Sequence, residues 1–249
     1  MRRRRRGTDA RGPGGHPGSA VTVRFLLASG NRNKLREFGG ILAPHTVLAM
    51  PAGVSLPPEG LVSFEQNALG KARGLARALL ADARLLAQVG GPPLLCLADD
   101  SGLEVEALGW APGVTSSRYA GEDADDEMNW RKLLSQLEGY SDAQRRARFT
   151  CVVAVVPLRA PSSKGTAGAA GASSPSAPEE YVAHGRWWGN IVREPRGDGG
   201  FGYDPVFLPD GSALTVAQLS PEEKERRSHR ALAAKALLEL LEREGLLEA

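Results

Sequence analysis

At 249 residues the chain has length for one large domain or two small ones, and its 42% hydrophobic and 24% charged residues are those of an ordinary globular protein. The formal net charge is +2, but Arg2 to Arg6 supply five positive charges, so the rest of the chain is slightly acidic. A nucleic-acid-binding domain carries its basic excess on the fold itself, and no apolar run here approaches the roughly 18–20 residues that span a bilayer. Neither nucleic acid nor membrane is therefore an expected partner.

Residues 1–20 are rich in Arg, Gly and Pro and lack apolar periodicity, which predicts a disordered tail ahead of a domain over 21–249. No apolar stretch follows the arginines as a secretory signal would require, so a cytoplasmic protein is expected. A strand is predicted over 23–28 and a helix over 34–42. Between them lies Ser29-Gly30-Asn31-Arg32-Asn33-Lys34. Free backbone N–H groups at a helix start, the helix dipole, and side-chain donors from Ser29, Asn31 and Lys34 make an anion site there. The segment is neither a Walker A loop nor GxGxxG.

A longer helix begins near Ser63, with Gln66 three residues on as a capping-box partner. Phe64, Ala68, Ala72, Leu75, Ala76, Leu79 and Leu80 recur along it at helical spacing. Asn67 and Lys71, four residues apart, share a face that is read as not the apolar one. Strands are then expected at 94–98 and 103–108, close enough to make part of the sheet antiparallel. Asp99-Asp100-Ser101-Gly102 falls between them, read as the C-terminal end of a core strand, where α/β sheets hold their ligands. Two adjacent carboxylates repel each other unless something positive binds, and oxygen donors of this kind suit Mg²⁺ beside substrate phosphates. Cys96 and Cys151 sit in apolar runs and read as small buried hydrophobes, with no zinc spacing.

A helix over 123–137 and strands at 149–156, 181–184 and 204–208 follow, with a low-complexity loop insert at 160–178. Gly199-Gly200-Phe201-Gly202-Tyr203-Asp204-Pro205 allows close backbone approach and sets rings against a nucleobase. Ser220-Pro221 and Glu223 open a helix, which brings Lys224, His229 and Arg230 close to one another, ahead of a last helix over 228–247. Each stretch alone also reads as an ordinary turn or cap. Together, four cations (Lys34, Lys71, Lys224, Arg230) and two acids (Asp99, Asp100) are the inventory for a nucleoside triphosphate with a divalent metal, on an interleaved α/β fold.

The motifs ADDSGL, PGV…SxRYAG, GFGYDP and SHRA, in this order and with LASGNRNKLREF and SFEQNALGKA before them, resemble the inosine triphosphate pyrophosphatase (dITP/XTP pyrophosphatase) family over 21–247. The resemblance implies a two-lobed α/β fold with a long mixed sheet and a central cleft, Mg²⁺ dependence and a homodimer. The implied reaction is hydrolysis of deaminated purine triphosphates (ITP, dITP, XTP) to the monophosphate and pyrophosphate, which cleanses the nucleotide pool. By motif, Ser29, Gly30, Asn31, Arg32, Asn33, Lys34 and Lys71 grip the triphosphate, and Ser101 contacts substrate. Phe201, Gly202, Tyr203, Asp204, His229 and Arg230 hold the base, and Lys224 contacts the nucleotide. Asp100 takes the proton of a water attacking the α-phosphorus and is a metal ligand. The family usually has Glu where Gln66 stands; Glu65, about 100° away on the helix, is a poor substitute, and Glu59 is the expected second metal ligand. The Maf nucleotide pyrophosphatases, which share the chemistry but act on other bases, are the nearest rival; GFGYDP and SHR argue against them.

Overall fold

The computed structural model describes residues 22–158 and 179–247; the expected tail at 1–20 and the insert at 160–178 lie outside them. In chain order the elements are β1 (Arg24–Leu27), α1 (Arg32–Ile41), β2 (Thr46–Ala49), α2 (Phe64–Ala81), α3 (Ala83–Gln88) and β3 (Leu94–Val105). Then come α4 (Asp126–Gln136), β4 (Arg146–Leu158), β5 (Tyr181–Ile191), β6 (Phe207–Pro209), α5 (Pro221–Arg227) and α6 (His229–Arg243). One six-stranded sheet runs β2-β1-β3-β4-β5-β6, parallel from β2 to β3 and antiparallel from β3 to β6.

Alternation along the strands loads both faces. Leu26, Cys96, Ala98, Val152 and Ala154 pack under Ala68, Ala72, Leu75 and Leu79 of α2. Phe25, Leu27, Leu97, Cys151 and Val153 pack on the other face against Phe38 of α1 and Ala233, Leu237 and Leu241 of α6. Each fully buried leucine or phenylalanine contributes about 1.5–3 kcal/mol. A third cluster, with Leu103, Phe149, Trp187 and Phe207 under Leu133 and Leu137, fills the far end and makes the second lobe. The cysteines are free, buried and on opposite sheet faces, as small core hydrophobes; burial lifts both thiols to about 12.

Several expectations need correction. The strands at 94–98 and 103–108 are one twelve-residue strand, because Asp99 to Gly102 continue the register opposite Val153 to Thr150 instead of turning. The antiparallel part of the sheet comes from β3 with β4. The last helix, expected over 228–247, is α6 and ends at Arg243; Ser228, in extended geometry, separates it from α5 and caps it through Ala231 N–H. The strand at 204–208 is a 3₁₀ turn, Asp204–Val206, before a three-residue β6. Asn67 and Lys71 are buried beside the apolar stripe of α2, not turned to water. Elements β2 and α3 were not anticipated.

Two features position the site. β1 pairs with β3 only as far as Leu27 opposite Leu97. The 112–116 segment covers the same edge again further on, with Glu104 opposite Pro112 and Leu103 N–H donating to Ser116 Oγ. The open stretch of that edge is the short one at Asp99 to Ser101. The acid pair is therefore mid-strand in β3 yet level with the C-terminal end of β1. Gly185 on β5 admits the start of α6, where a β-carbon would collide with the backbone of His229 and Ala233.

Candidate active site

Successive strand residues point to opposite faces, so Asp99 and Asp100 do not share a site wall. Asp99 faces α1 and α6. Its two oxygens lie 3.0 and 2.9 Å from Lys34 Nζ, with Arg230 Nε 3.5 Å away and Ser101 Oγ donating at 2.9 Å. Burial alone would raise this carboxyl, but Lys34, Arg230 and Lys71 outweigh it and hold Asp99 well below the usual carboxylate range.

Asp100 faces α2. Asn67 Nδ2 donates to its Oδ2 at 2.8 Å, and Lys71 Nζ lies 3.5 Å from its Oδ1. The same ammonium is 2.8 Å from Glu59 Oε1, and Arg118 comes within 3.8 Å of Glu59 Oε2. Asn67 also fixes the loop that carries Glu59: its Oδ1 accepts from Gly60 N at 2.7 Å and its Nδ2 donates to Gly60 O at 3.2 Å. Burial raises Asp100, and Lys71 and Asn67 only partly oppose that. Glu59 goes the other way, as Lys71, Lys34 and Arg118 overcome its burial. Lys71 is raised because Asp99, Asp100 and Glu59 overcome its own burial.

The third wall is the glycine-rich loop with the start of α6. Gly200 and Gly202 sit at φ +76° and +63°, where side chains are strained. Phe201 N–H donates to Asp204 Oδ2 at 3.0 Å, and Tyr203 OH donates to Ser116 O at 2.8 Å. Lys224 bridges Asp204 Oδ2 at 2.7 Å and Glu37 Oε1 at 2.6 Å, and Glu37 Oε2 accepts from Arg230 Nη1 at 2.9 Å. Both cations approach the Phe201 ring, 4.6 Å for Lys224 and 5.1 Å for Arg230. His229 stacks on Phe149 at 4.7 Å. Burial, then Arg230 and Lys224, hold it well below its ordinary value, so its ring is neutral at neutral pH. Its Nδ1 and Arg230 Nε are buried without a hydrogen-bond partner, a costly state that a ligand would relieve.

One cleft touches Asn31, Lys34, Glu59, Asp100, Ser101, Phe201, Gly202, Tyr203, Asp204, His229 and Arg230, drawn from segments up to 200 positions apart. Residues 25–240 match the Ham1 family. The chain belongs to the Ham1 family. Among its relatives, a Thioalkalivibrio sulfidiphilus protein named dITP/XTP pyrophosphatase is 41% identical over 223 residues, 88% of this chain and 99% of that one. A Mycobacterium tuberculosis protein of the same name is 42% identical over 229 residues, 89% and 97% of the two chains. The Coxiella burnetii HAM1 structure superposes at TM-score 0.67 with 36% identity, covering 89% of this chain and 100% of that one. The Staphylococcus aureus Ham1 structure gives 0.66 with 34% identity, 89% and 99%.

In this Ham1-family chain most residues singled out by sequence converge, but not all. Arg32 is exposed and does not line the cleft, and Asn33 lines an adjoining cavity instead. Ser29 and Gly30 do not line the cleft. Of the backbone donors expected free, those of Asn33 and Lys34 are taken by Asn31 Oδ1 and that of Asn31 by Ser29 Oγ. These bonds use the acceptor oxygens of the two side chains, so the Ser29 hydroxyl hydrogen and Asn31 Nδ2 stay beside Lys34 and the dipole of α1 as attractions for an anion. Only half the capping box at α2 forms, Ser63 Oγ accepting from Gln66 N–H at 3.1 Å. Gln66 is exposed and Glu65 pairs outward with His184 at 3.5 Å, so neither bears on the cleft. Asp204 lines the cleft, with its Oδ2 held by Lys224 and the Phe201 amide.

Sequence reasoning missed Glu37, one turn after Lys34 on α1, whose spacing was its only signal, and left Asn67 unassigned. Among the described residues no three His, Cys, Asp or Glu are grouped to hold a metal. Asp100 and Glu59 are a two-carboxylate, all-oxygen donor set, which fits an ion that completes its shell with water and substrate phosphate.

Proposed function

We propose that the protein hydrolyses deaminated purine nucleoside triphosphates, dITP, XTP and ITP, to the monophosphate and pyrophosphate. The observation that carries this reading is that Asp100 and Glu59 share the Lys71 ammonium on one side of β3. On the other side Lys34 and Arg230 gather on Asp99. The relatives named dITP/XTP pyrophosphatase support the base class.

Asp100 and Glu59 would hold Mg²⁺, which when bound neutralises phosphate charge and makes a water more acidic. Asp100 accepts a proton from the attacking water at the α-phosphorus, a role its raised affinity for protons suits. Lys34 and Lys71 meet charge that develops on the departing pyrophosphate. Neutral His229 and the Arg230 Nε have hydrogen-bonding capacity left for the base. A 6-oxo purine presents an acceptor where adenine presents a donor, and a wall built for one leaves the other unpaired. Ser101 and the Ser29–Lys34 turn contact the phosphate chain in the same reading.

The protein acts on this reading as a cytoplasmic homodimer without nucleic-acid or membrane partners. Among the described residues no helix is long and apolar enough to cross a membrane.

Pyrophosphate release from ITP, XTP, GTP and ATP, each with Mg²⁺ and with EDTA, tests the reading on wild type and Asp100→Asn. Metal-dependent turnover of ITP and XTP far above GTP and ATP, lost in the variant, is expected. Equal turnover of all four refutes the base preference and moves the protein toward a Maf-like or general pyrophosphatase.

A further inference from the structure

The loop that carries Phe201 is rich in glycine. Gly197, Gly199, Gly200 and Gly202 leave it little side-chain packing, and Phe201 is a wall shared by the catalytic cleft and two adjoining cavities. What holds its tip is a short set of bonds. One is internal, Phe201 N–H to Asp204. One is anchored further on, Tyr203 OH to Ser116 O. The base of the loop is held by Gly199 N–H to Ala217 O and Arg196 N–H to Pro205 O. One bond crosses the cleft mouth: Gly202 N–H donates at 2.7 Å to Oδ2 of Asp126, the first residue of α4, 76 positions away in sequence.

Asp126 is not the cap of its helix. Asp125 does that work, accepting from Met128 N–H at 2.7 Å. Glu127 is tied to Arg131 one turn on. Of the three consecutive acids, Asp126 alone reaches the loop and lines the cleft. Gly202 also needs its left-handed φ to aim its N–H outward, so glycine and carboxylate form one device.

We propose that Asp126 is a positioning residue that latches the Phe201–Asp204 loop in its base-stacking conformation. It acts through the Gly202 amide and not by touching the reacting phosphate. With the latch made, the Phe201 ring is held against Lys224 and Arg230 at a fixed depth. Without it, the glycines let the ring drift toward the neighbouring cavities, and each substrate must restore the loop on binding. That cost falls on KM more than on kcat. The inference rests on the proposed substrate class only for its kinetic arm.

The test is hydrogen–deuterium exchange of the full chain, read on peptides covering 197–206, alongside kinetics with XTP, for Asp126→Ala, Asp126→Asn and Glu127→Gln. Asp126→Ala is expected to speed exchange in that peptide and to raise KM for XTP about five-fold with little change in kcat. Asp126→Asn keeps an acceptor oxygen and stays close to wild type in both. Glu127→Gln, which also removes a first-turn charge, matches wild type in the peptide. The latch is overturned if Asp126→Ala leaves 197–206 exchange unchanged. It is equally overturned if Asp126→Asn or Glu127→Gln reproduces the alanine effect, since helix charge would then explain it. Should wild type turn over no nucleotide, the substrate reading fails while the exchange arm still decides the latch.

Discussion

Replacing Asn67 with alanine removes one side chain that serves both acids of the site. Three hydrogen bonds go: one to the Asp100 carboxylate at 2.8 Å, and two that clamp Gly60, at 2.7 and 3.2 Å. A bond to a charged acceptor contributes about 1.5–3 kcal/mol and a neutral one about 0.5–1.5 kcal/mol. Gly60 is exposed, so water replaces its bonds cheaply and the low end applies there. The expected loss is about 2–4 kcal/mol of unfolding free energy, read as a lower urea midpoint with the slope unchanged. The chemistry shifts as well. Asn67 is one of the groups that oppose the rise of Asp100, so its removal raises the carboxyl further. On the proposed mechanism, in which Asp100 accepts the proton as a carboxylate, the acid limb of log kcat/KM moves to higher pH. Asn67→Asp sharpens the point: it keeps the acceptor for Gly60 N–H but sets a third carboxylate against Asp100. It is expected to be more damaging than alanine, although closer in shape. A wild-type urea midpoint in Asn67→Ala, an acid limb that stays or moves down, or an aspartate variant better than alanine would refute the reasoning.

Two further predictions follow from the same strand. Asp99 is held below its unfolded value near 3.9, so the stability it contributes is present above that pH and lost as pH falls through the folded value. Asp99→Asn should therefore cost about 3–5 kcal/mol at pH 7, leaving Lys34 uncompensated and Arg230 with Glu37 alone, with the gap to wild type closing below pH 4; a gap constant from pH 7 to 3 in urea unfolding would contradict it. In Gly102→Ala the new methyl meets Gly113 O and, at 2.6 Å, Ser116 Oγ, the group that accepts from Leu103 N–H. About 2–3 kcal/mol of overpacking should appear as a lower Tm and weaker substrate binding; an unchanged Tm would mean the 113–118 segment yields freely.

The sequence by itself determined the local pieces. Short runs that read as strands marked β1, β4 and the start of β5, a 3.6-residue period marked α2, and glycine and serine signals marked the turns that bear Phe201 and His229. These signals are local, since they reflect which face of a strand or helix a residue must bury. The residue inventory also sufficed for the chemistry of a metal-assisted nucleotide hydrolase. The residues did not disclose, before folding, which acid would do what. Asp99 and Asp100 look equivalent in a line of text. They part only because an unbroken strand sends neighbours to opposite faces, one toward Lys34 and Arg230 and the other toward Asn67 and Lys71. Nor could periodicity show that Lys71 would be buried, since its partners Glu59 and Asp100 lie 12 and 29 residues away. The early end of β1 decides the rest. It leaves the edge of β3 open at Asp99 to Ser101, before the 112–116 segment covers it, so side chains from both faces reach one cleft, and pairing distance along the chain carries no trace of that.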